Sequence, residues 1–286
     1  MKIGIIGGSG LYALEGIEDV RETRIETPFG APSGPYVTGR LNGREVIFLA
    51  RHGDGHRLLP SEINFRANVW GMKKLAATHI ISVSAVGSLK EEIAPGHIVV
   101  PDQFIDRTFL RPSTFFGRGI VAHVQFGDPV CPVLLETLSA SARAVGATCH
   151  RGGTYVCMEG PAFSSRAESN LYRSWGGAVI GMTNLQEAKL AREAELHFAT
   201  IALSTDYDCW HAHEAEVSVE SVLKVMQDNI LTSKRILAHA VRSLPEEGPC
   251  GCADALRFAI LTDLAHVPDS VKRELDPLIG RYLRGS

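Results

Sequence analysis

Short runs rich in β-branched and other apolar residues recur along the chain, separated by stretches whose apolar positions repeat every three to four residues. The strand-like runs are Lys2 to Ile6, Arg44 to Leu49, His79 to Ser84, His97 to Pro101, Thr154 to Met158, Ala178 to Met182 and His197 to Ser204. Alternation of this kind predicts an α/β fold. Ile80-Ile81-Ser82-Val83-Ser84 and Thr200-Ile201-Ala202-Leu203-Ser204 carry no charge and do not alternate strictly, as expected of central strands covered on both faces. The sheet is therefore expected to be mixed or mostly parallel. A helix is expected from Ser61 to Ala77, and another from Pro132 to Val145, stopped by Gly146. Ser165 with Glu168, and Asn184 with Glu187, have the spacing of reciprocal N-terminal caps. From Ser218 onwards, Val219, Val222, Leu223, Met226 and Ile230 fall on one helical face and predict an amphipathic helix packed on the core. The stretch from Gln103 to Pro132 resists assignment, and a loop of that length is expected to serve a site or a subunit contact. Pro245-Glu246-Glu247-Gly248-Pro249 reads as a linker. It divides a main domain, 1–245, from a helical extension, 246–286, expected to pack on it.

Composition narrows the class. The chain has 286 residues, 29 basic against 32 acidic, and a net charge of −3, so no basic footprint for nucleic acid is expected. No apolar run approaches the roughly 18 residues of a membrane span. The glycine-rich opening segment reads as a first strand rather than a leader, which places the protein in the cytoplasm. Six cysteines are too few for a disulfide scaffold in a chain of this length. Cys250-Gly251-Cys252 is either a strained, reducible pair or two ordinary thiols.

Candidate chemistry collects after the strands, where α/β proteins hold ligands. Gly8-Ser9-Gly10-Leu11-Tyr12-Ala13 fits the loose pattern of a dinucleotide turn. It fits equally a phosphate-binding turn offering free N–H groups and a hydroxyl, or a plain tight turn. Arg51 and His52 follow the second apolar strand and supply a planar guanidinium fork and an imidazole. His52 and His56 have helical metal-pair spacing, but the glycines between them oppose a helix and no third ligand accompanies them, so no metal site is expected. His211-Ala212-His213-Glu214 reads as a solvated turn rather than a ligand set. Ser84-Ala85-Val86-Gly87-Ser88 ends a third strand, and together the three ends can surround an anion. After a fourth strand, Asp206 and Asp208 stand two residues apart beside Tyr207 and Trp210. Enclosed in one pocket, such a pair would have at least one carboxyl raised by burial and repulsion, able to share a proton with a ring nitrogen. Otherwise one acid caps a turn and the other faces water. No G-x-S-x-G elbow or Cys–His pairing supports a covalent hydrolase.

The motifs in order form a larger pattern. Gly4-Ile5-Ile6-Gly7-Gly8-Ser9-Gly10-Leu11, Thr27-Pro28-Phe29-Gly30, Ala50-Arg51-His52-Gly53, Asp102 to Thr108, Glu159 to Ser169, Gly181-Met182-Thr183 and Thr205-Asp206-Tyr207-Asp208 resemble the purine nucleoside phosphorylase family, and within it the members that act on 5′-methylthioadenosine. The resemblance spans about residues 3 to 245. It implies one α/β domain with a mixed, partly barrel-like sheet flanked by helices, assembled as a trimer or a dimer of trimers. It also implies a phosphate-dependent cleavage of the N-glycosidic bond, with inorganic phosphate as co-substrate and neither cofactor nor metal. By position, Ser9, Arg51, His52, Ser84, Ala85 and Thr183 match the phosphate site. Met182 matches the residue against the ribose, Phe163 and Ser164 the base region, and Asp206 and Asp208 the pair that reads the adenine edge. Val219, Val222 and Leu223 match the surroundings of the 5′ group, and His123 a residue contributed by a neighbouring subunit. Ala162 stands where the family commonly has arginine. The Cys-Gly-Cys tail resembles that of members in which it is linked with disulfide chemistry. Three rivals are a relative acting on methylthioinosine, inosine or guanosine, against which Asp206 with Asp208 in place of an amide speaks, a dinucleotide-dependent oxidoreductase built on Gly8 to Ala13, and a nucleoside-binding protein without turnover.

Overall fold

The computed structural model describes residues 1–11, 16–211, 219–246 and 248–284, and the side chains of all of these except Ser9 and residues 219–224. Strands and helices alternate along the chain: β1 Lys2–Gly7, β2 Ile17–Thr23, β3 Tyr36–Leu41, β4 Arg44–Ala50, α1 Phe65–Lys74, β5 His79–Ser88, β6 Ile98–Val100 and β7 Gln103–Arg107. There follow α2 Pro132–Ala144, β8 Cys149–Arg151, β9 Thr154–Met158, α3 Arg166–Ser174, β10 Gly177–Gly181, α4 Leu185–Glu193 and β11 His197–Asp206. The long α5 Val219–Ser243 and the short α6 Asp269–Glu274 and α7 Asp276–Leu283 complete the chain. All seven strands expected from apolar runs form, several of them extended by one to four residues. The unassigned stretch contributes β7, which pairs in parallel with β9.

The sheet is mixed, with the order β2-β3-β4-β1-β5-β10-β9-β7, and it branches at β5, where β11 also pairs. That branch makes room for a site. Residues Ile3 to Ile6 of β1 lie beside His79 to Ser82 of β5, whereas β10 joins β5 only at Gly87 and Ser88, and antiparallel. β11 follows β5 from His79 to Gly87 on the other flank. Between Ser82 and Gly87, β5 is therefore paired on one side only, and the ends of β1, β4, β10 and β11 face that opening.

Two smaller apolar clusters lie around β9 and β10, and two large ones cover most of the sheet. One contains Ile5, Phe48, Ile81 and Ile201 with Leu134 and Leu138 of α2 and Ile236 and Leu237 of α5. The other contains Ile6, Leu49 and Ile80 with Val69 of α1 and Leu190 of α4. Leu256, Val271, Leu278 and Ile279, beyond the predicted linker, are buried in that second cluster. Among the predicted helix starts, the one at Ser61 is displaced and the one at Asn184 lacks its cap bond. The first helix begins at Phe65 and is capped by Asn64, because Ser61 is bonded to Glu159 instead. Asn184 makes no cap bond and has φ +81°; its side chain is drawn to Ser82 and Arg51. Ser165 and Glu168, by contrast, form the complete reciprocal cap of α3.

Candidate active site

The opening beside β5 is marked by one residue: Ala85 is exposed although Ser84 and Val86 on either side are buried. Gly8, Leu11, Ser84, Ala85, Thr205 and Met226 contribute to the wall of a cavity of about 80 Å³ at this point. The Ser84 and Thr183 hydroxyls lie 3.1 Å apart, joining β5 to the turn after β10. Both residues are buried, so this hydroxyl pair is an oriented polar group on a largely apolar wall.

Arg51 enters from the end of β4, its backbone N–H bonded to Gly7 O. Its guanidinium is buried behind the strand ends instead of standing as an open fork. It forms a two-pronged ion pair with Glu187 of α4, and Nη2 donates to Ser82 Oγ at 2.6 Å. Nη1 donates to Val83 O at 3.1 Å, on the stretch of β5 that lacks a second strand. A buried arginine needs such a partner, because desolvating an unpaired charge is costly. The spacing Asn184 to Glu187 was thus legible as a helix start, but the acid is drawn inward by a charge 136 residues away. His52 donates through Nδ1–H to Leu58 O at 2.8 Å and stacks on His56 with ring centroids 4.1 Å apart. Burial pushes its pKa down to about 4, with the Arg51 charge adding to the shift. The ring is neutral at pH 7, so Nδ1–H donates to the carbonyl and Nε2 is left as an acceptor. Its charge does not follow pH in the neutral range, as the unperturbed value suggested.

On the opposite flank, the end of β11 delivers the two aspartates. Asp206 accepts from Thr205 Oγ1 at 2.7 Å and from the Asp208 N–H at 2.8 Å. Asp208 sits at φ +50°, a turn that folds its backbone onto the Asp206 carboxylate. Gly87 makes this approach possible, since a Cβ there would meet Asp206 Oδ1 at 3.0 Å and Asp208 Cβ at 3.3 Å. Burial, reinforced by the charge of Asp206, holds the Asp208 carboxyl above its ordinary value. Neither Arg51 nor Asp206 lines the cavity itself; each is joined to its wall, Arg51 through Val83 and Asp206 through Thr205.

Other expected residues lie around this centre. Met182 follows β10, and its carbonyl accepts from Arg111 Nη1 at 2.5 Å. Its side chain packs so closely on Gly160 that a Cβ there would overlap the sulfur. Ser164 is buried, its carbonyl accepting from the Cys209 thiol at 3.2 Å, while Phe163 is 83% exposed. His123 is exposed and lines a different hollow, with Cys250 and Cys252. Ser9 belongs to a short turn of helix after β1. Val219, Val222 and Leu223 lie in the first turns of α5. The side chains of these four, together with Tyr12, Ala13, His213, Glu214 and the cap at Ser218, are outside the described residues. His211 bonds Glu91.

Sequence reasoning missed Arg111 and Glu187. Arg111 is buried in the unassigned stretch and ties Glu159, Gln186 and the Met182 carbonyl together. The available signal was Glu159, an acid in a Gly-Pro loop that needed a partner; the guanidinium comes from Arg111, not from position 162.

The chain belongs to the phosphorylase superfamily, whose sequence profile matches residues 2–242. It is 61% identical over 282 residues to the S-methyl-5′-thioadenosine phosphorylase of Geobacter sulfurreducens, covering 98% of this chain and 99% of the relative. Identity to the enzyme of the same name from Koribacter versatilis is 57%, with 98% and 96% covered. Among solved structures, a methylthioadenosine phosphorylase from an antarctic soil metagenomic library superposes with a TM-score of 0.93 at 46% identity, covering 96% of this chain and 98% of that one. A Schistosoma mansoni methylthioadenosine phosphorylase in complex with adenine superposes at 0.83 and 36% identity, with 90% and 96% covered.

Proposed function

We propose that this chain catalyses the phosphorolysis of 5′-methylthioadenosine to adenine and 5-methylthioribose 1-phosphate. The observation that carries the reading is the opening beside β5, flanked by the Ser84–Thr183 hydroxyls and Arg51 on one side and Asp206–Asp208 on the other. Breaking an N-glycosidic bond leaves positive charge on the sugar and negative charge on the purine, so an anion is needed at the anomeric carbon and a proton donor at the base. In this reading, phosphate rests on Ser9, Ser84, Thr183, the Ala85 N–H and the remaining Nη1 proton of Arg51. Neutral His52 accepts a hydrogen bond from a protonated phosphate oxygen through Nε2. A phosphate oxygen bonds to C1′ as the C1′–N9 bond breaks, and its electron pair passes to the purine. Asp206, protonated from solvent in the bound complex, gives that proton to N7 and is reprotonated from solvent after the base leaves, and Asp208 accepts from the exocyclic amine. Met182 faces the ribose, Phe163 and Ser164 flank the base, and Val219, Val222 and Leu223 surround the methylthio group. No cofactor or metal enters the chemistry.

Exposed apolar residues support assembly into a trimer or a dimer of trimers, in which His123 completes a neighbour's site. Phe109, Leu110, Phe163 and Phe258 are 73%, 78%, 83% and 86% exposed, apolar surface that a subunit contact would cover. Residues 1–245 form the catalytic part and 246–286 an extension on it, working in the cytoplasm.

Adenine release from methylthioadenosine, measured with and without inorganic phosphate, tests the reaction; release that ignores phosphate overturns it. Asp206→Asn is expected to lower kcat by about 10²–10⁴-fold and to shift preference toward 6-oxopurines, whose O6 the amide can reach. Unchanged turnover of methylthioadenosine by that variant would remove Asp206 from the proton step.

A further inference from the structure

Around the end of β11 opposite to Asp206, four donors meet. Cys131 stands immediately before α2, with its backbone N–H bonded to Phe198 O at 2.8 Å. His197 opens β11, and Cys250 and Cys252 come from the segment after α5. Their ligand atoms, three Sγ and His197 Nδ1, all lie within 4.8 Å of one another. The pair distances are 3.8 Å from Cys131 Sγ to Cys250 Sγ, 3.4 Å from Cys131 Sγ to Nδ1 and 3.2 Å from Cys250 Sγ to Nδ1. Zinc bonds of about 2.3 Å to sulfur and 2.0–2.1 Å to nitrogen, arranged tetrahedrally, place two sulfurs about 3.8 Å apart and sulfur and nitrogen about 3.5 Å apart. The three separations are close to edges of a coordination tetrahedron, and Cys252 Sγ lies within 4.8 Å of each of the other three atoms.

Hydrogen bonding alone is a poor account of the cluster. The Cys131 and Cys250 thiols share a single imidazole nitrogen, and a thiol is a weak donor. A buried thiol ordinarily behaves as a small apolar side chain; here the buried Cys131 and Cys252 lie with Cys250 within 4.8 Å of one another and of His197 Nδ1. His197 is also held in orientation, its ring stacked on His79 with centroids 4.3 Å apart and planes 13° from parallel. His79 is fixed in turn by Thr78 Oγ1 at 2.8 Å. Support of this kind orients metal-ligating histidines. A hollow of about 440 Å³, lined by Cys250, Cys252 and Arg192 among others, gives access from outside.

We propose that Cys131, His197, Cys250 and Cys252 bind one zinc ion in a closed Cys3His site that pins the C-terminal segment to α2 and β11. Binding releases three thiol protons, leaving three thiolates and a neutral imidazole on the ion. The complex then carries one net negative charge beside Arg192. With four protein ligands there is no open position, so the ion is structural and takes no part in phosphorolysis. The sequence suggested no metal because its donors fall in three places separated by 66 and 53 residues.

The test uses the full chain, expressed and purified under reductant without chelator. Mass-spectrometric metal analysis is expected to find about one zinc per chain. After zinc is stripped with a chelator, thermal stability should fall. Titration with cobalt(II) alone should then give the visible bands of a tetrahedral thiolate site, saturating at one equivalent. Cys250→Ser and Cys252→Ser should weaken cobalt binding at least tenfold, whereas His197→Cys, which keeps four donors, should retain it with a shifted spectrum. The spectrum of the unmutated chain decides the matter if the serine variants fail to fold. Reduced protein that takes up neither zinc nor cobalt overturns the proposal. So does a disulfide among these cysteines whose reduction yields no metal binding, or metal uptake unaffected by both serine substitutions. None of these readouts depends on turnover, so they stand apart from the proposed activity.

Discussion

At the scale of single residues, the site rests on contacts with little slack. Gly87 is the clearest case, because any side chain there meets the Asp206 carboxylate at 3.0 Å. Gly87→Ala is expected to lower kcat on methylthioadenosine by at least tenfold while leaving the fold intact, which steady-state kinetics and circular dichroism check together. Glu187→Gln keeps the shape but leaves the Arg51 charge buried without its counter-charge. Breaking one side of a buried ion pair typically costs about 3–5 kcal/mol, and urea unfolding should show a loss of that order. His52 sets a pH dependence. Its pKa is about 4 in the folded protein against 6.5 unperturbed, so the unfolded chain binds the extra proton first. The stability that its neutral form contributes is complete above pH 6.5 and is lost progressively as pH falls from 6.5 toward 4. Thermal melts across that window should show a decline that His52→Asn makes shallower.

Elements carry the next set of consequences. Most were legible, since β1, β4, β5 and β11 are apolar runs whose burial on both faces leaves no alternative for them. The cap of α3 was also legible, because Ser165 and Glu168 need only each other. Ser165→Ala should cost about 1 kcal/mol, read as a fall of about 2–4 °C in Tm, with activity reduced through α3 much less than by changes at Gly87. The caps at Ser61 and Asn184 were misread for a common reason. Both side chains are drawn to charged partners distant in sequence, Glu159 and the buried Arg51, and a charge-assisted bond outweighs a local cap.

For the whole molecule, the exposed Phe109, Leu110, Phe163 and Phe258 bear on assembly. Light scattering is expected to give the mass of three or six chains of 31.0 kDa, and a monomer that turns over normally would contradict the shared-site reading of His123. By itself the sequence determined the alternation of elements, the burial of the central strands and the residues at their ends, because periodicity and turn chemistry are local. Only the tertiary structure decided that β5 exchanges one neighbour for another and so opens a gap. It likewise decided that Arg51 is held by Glu187, that Arg111 braces Met182, and that three cysteines and a histidine converge. Each of those depends on which distant groups come together when strands pair, and buried charges and polar atoms take whatever partners the packed core brings within reach.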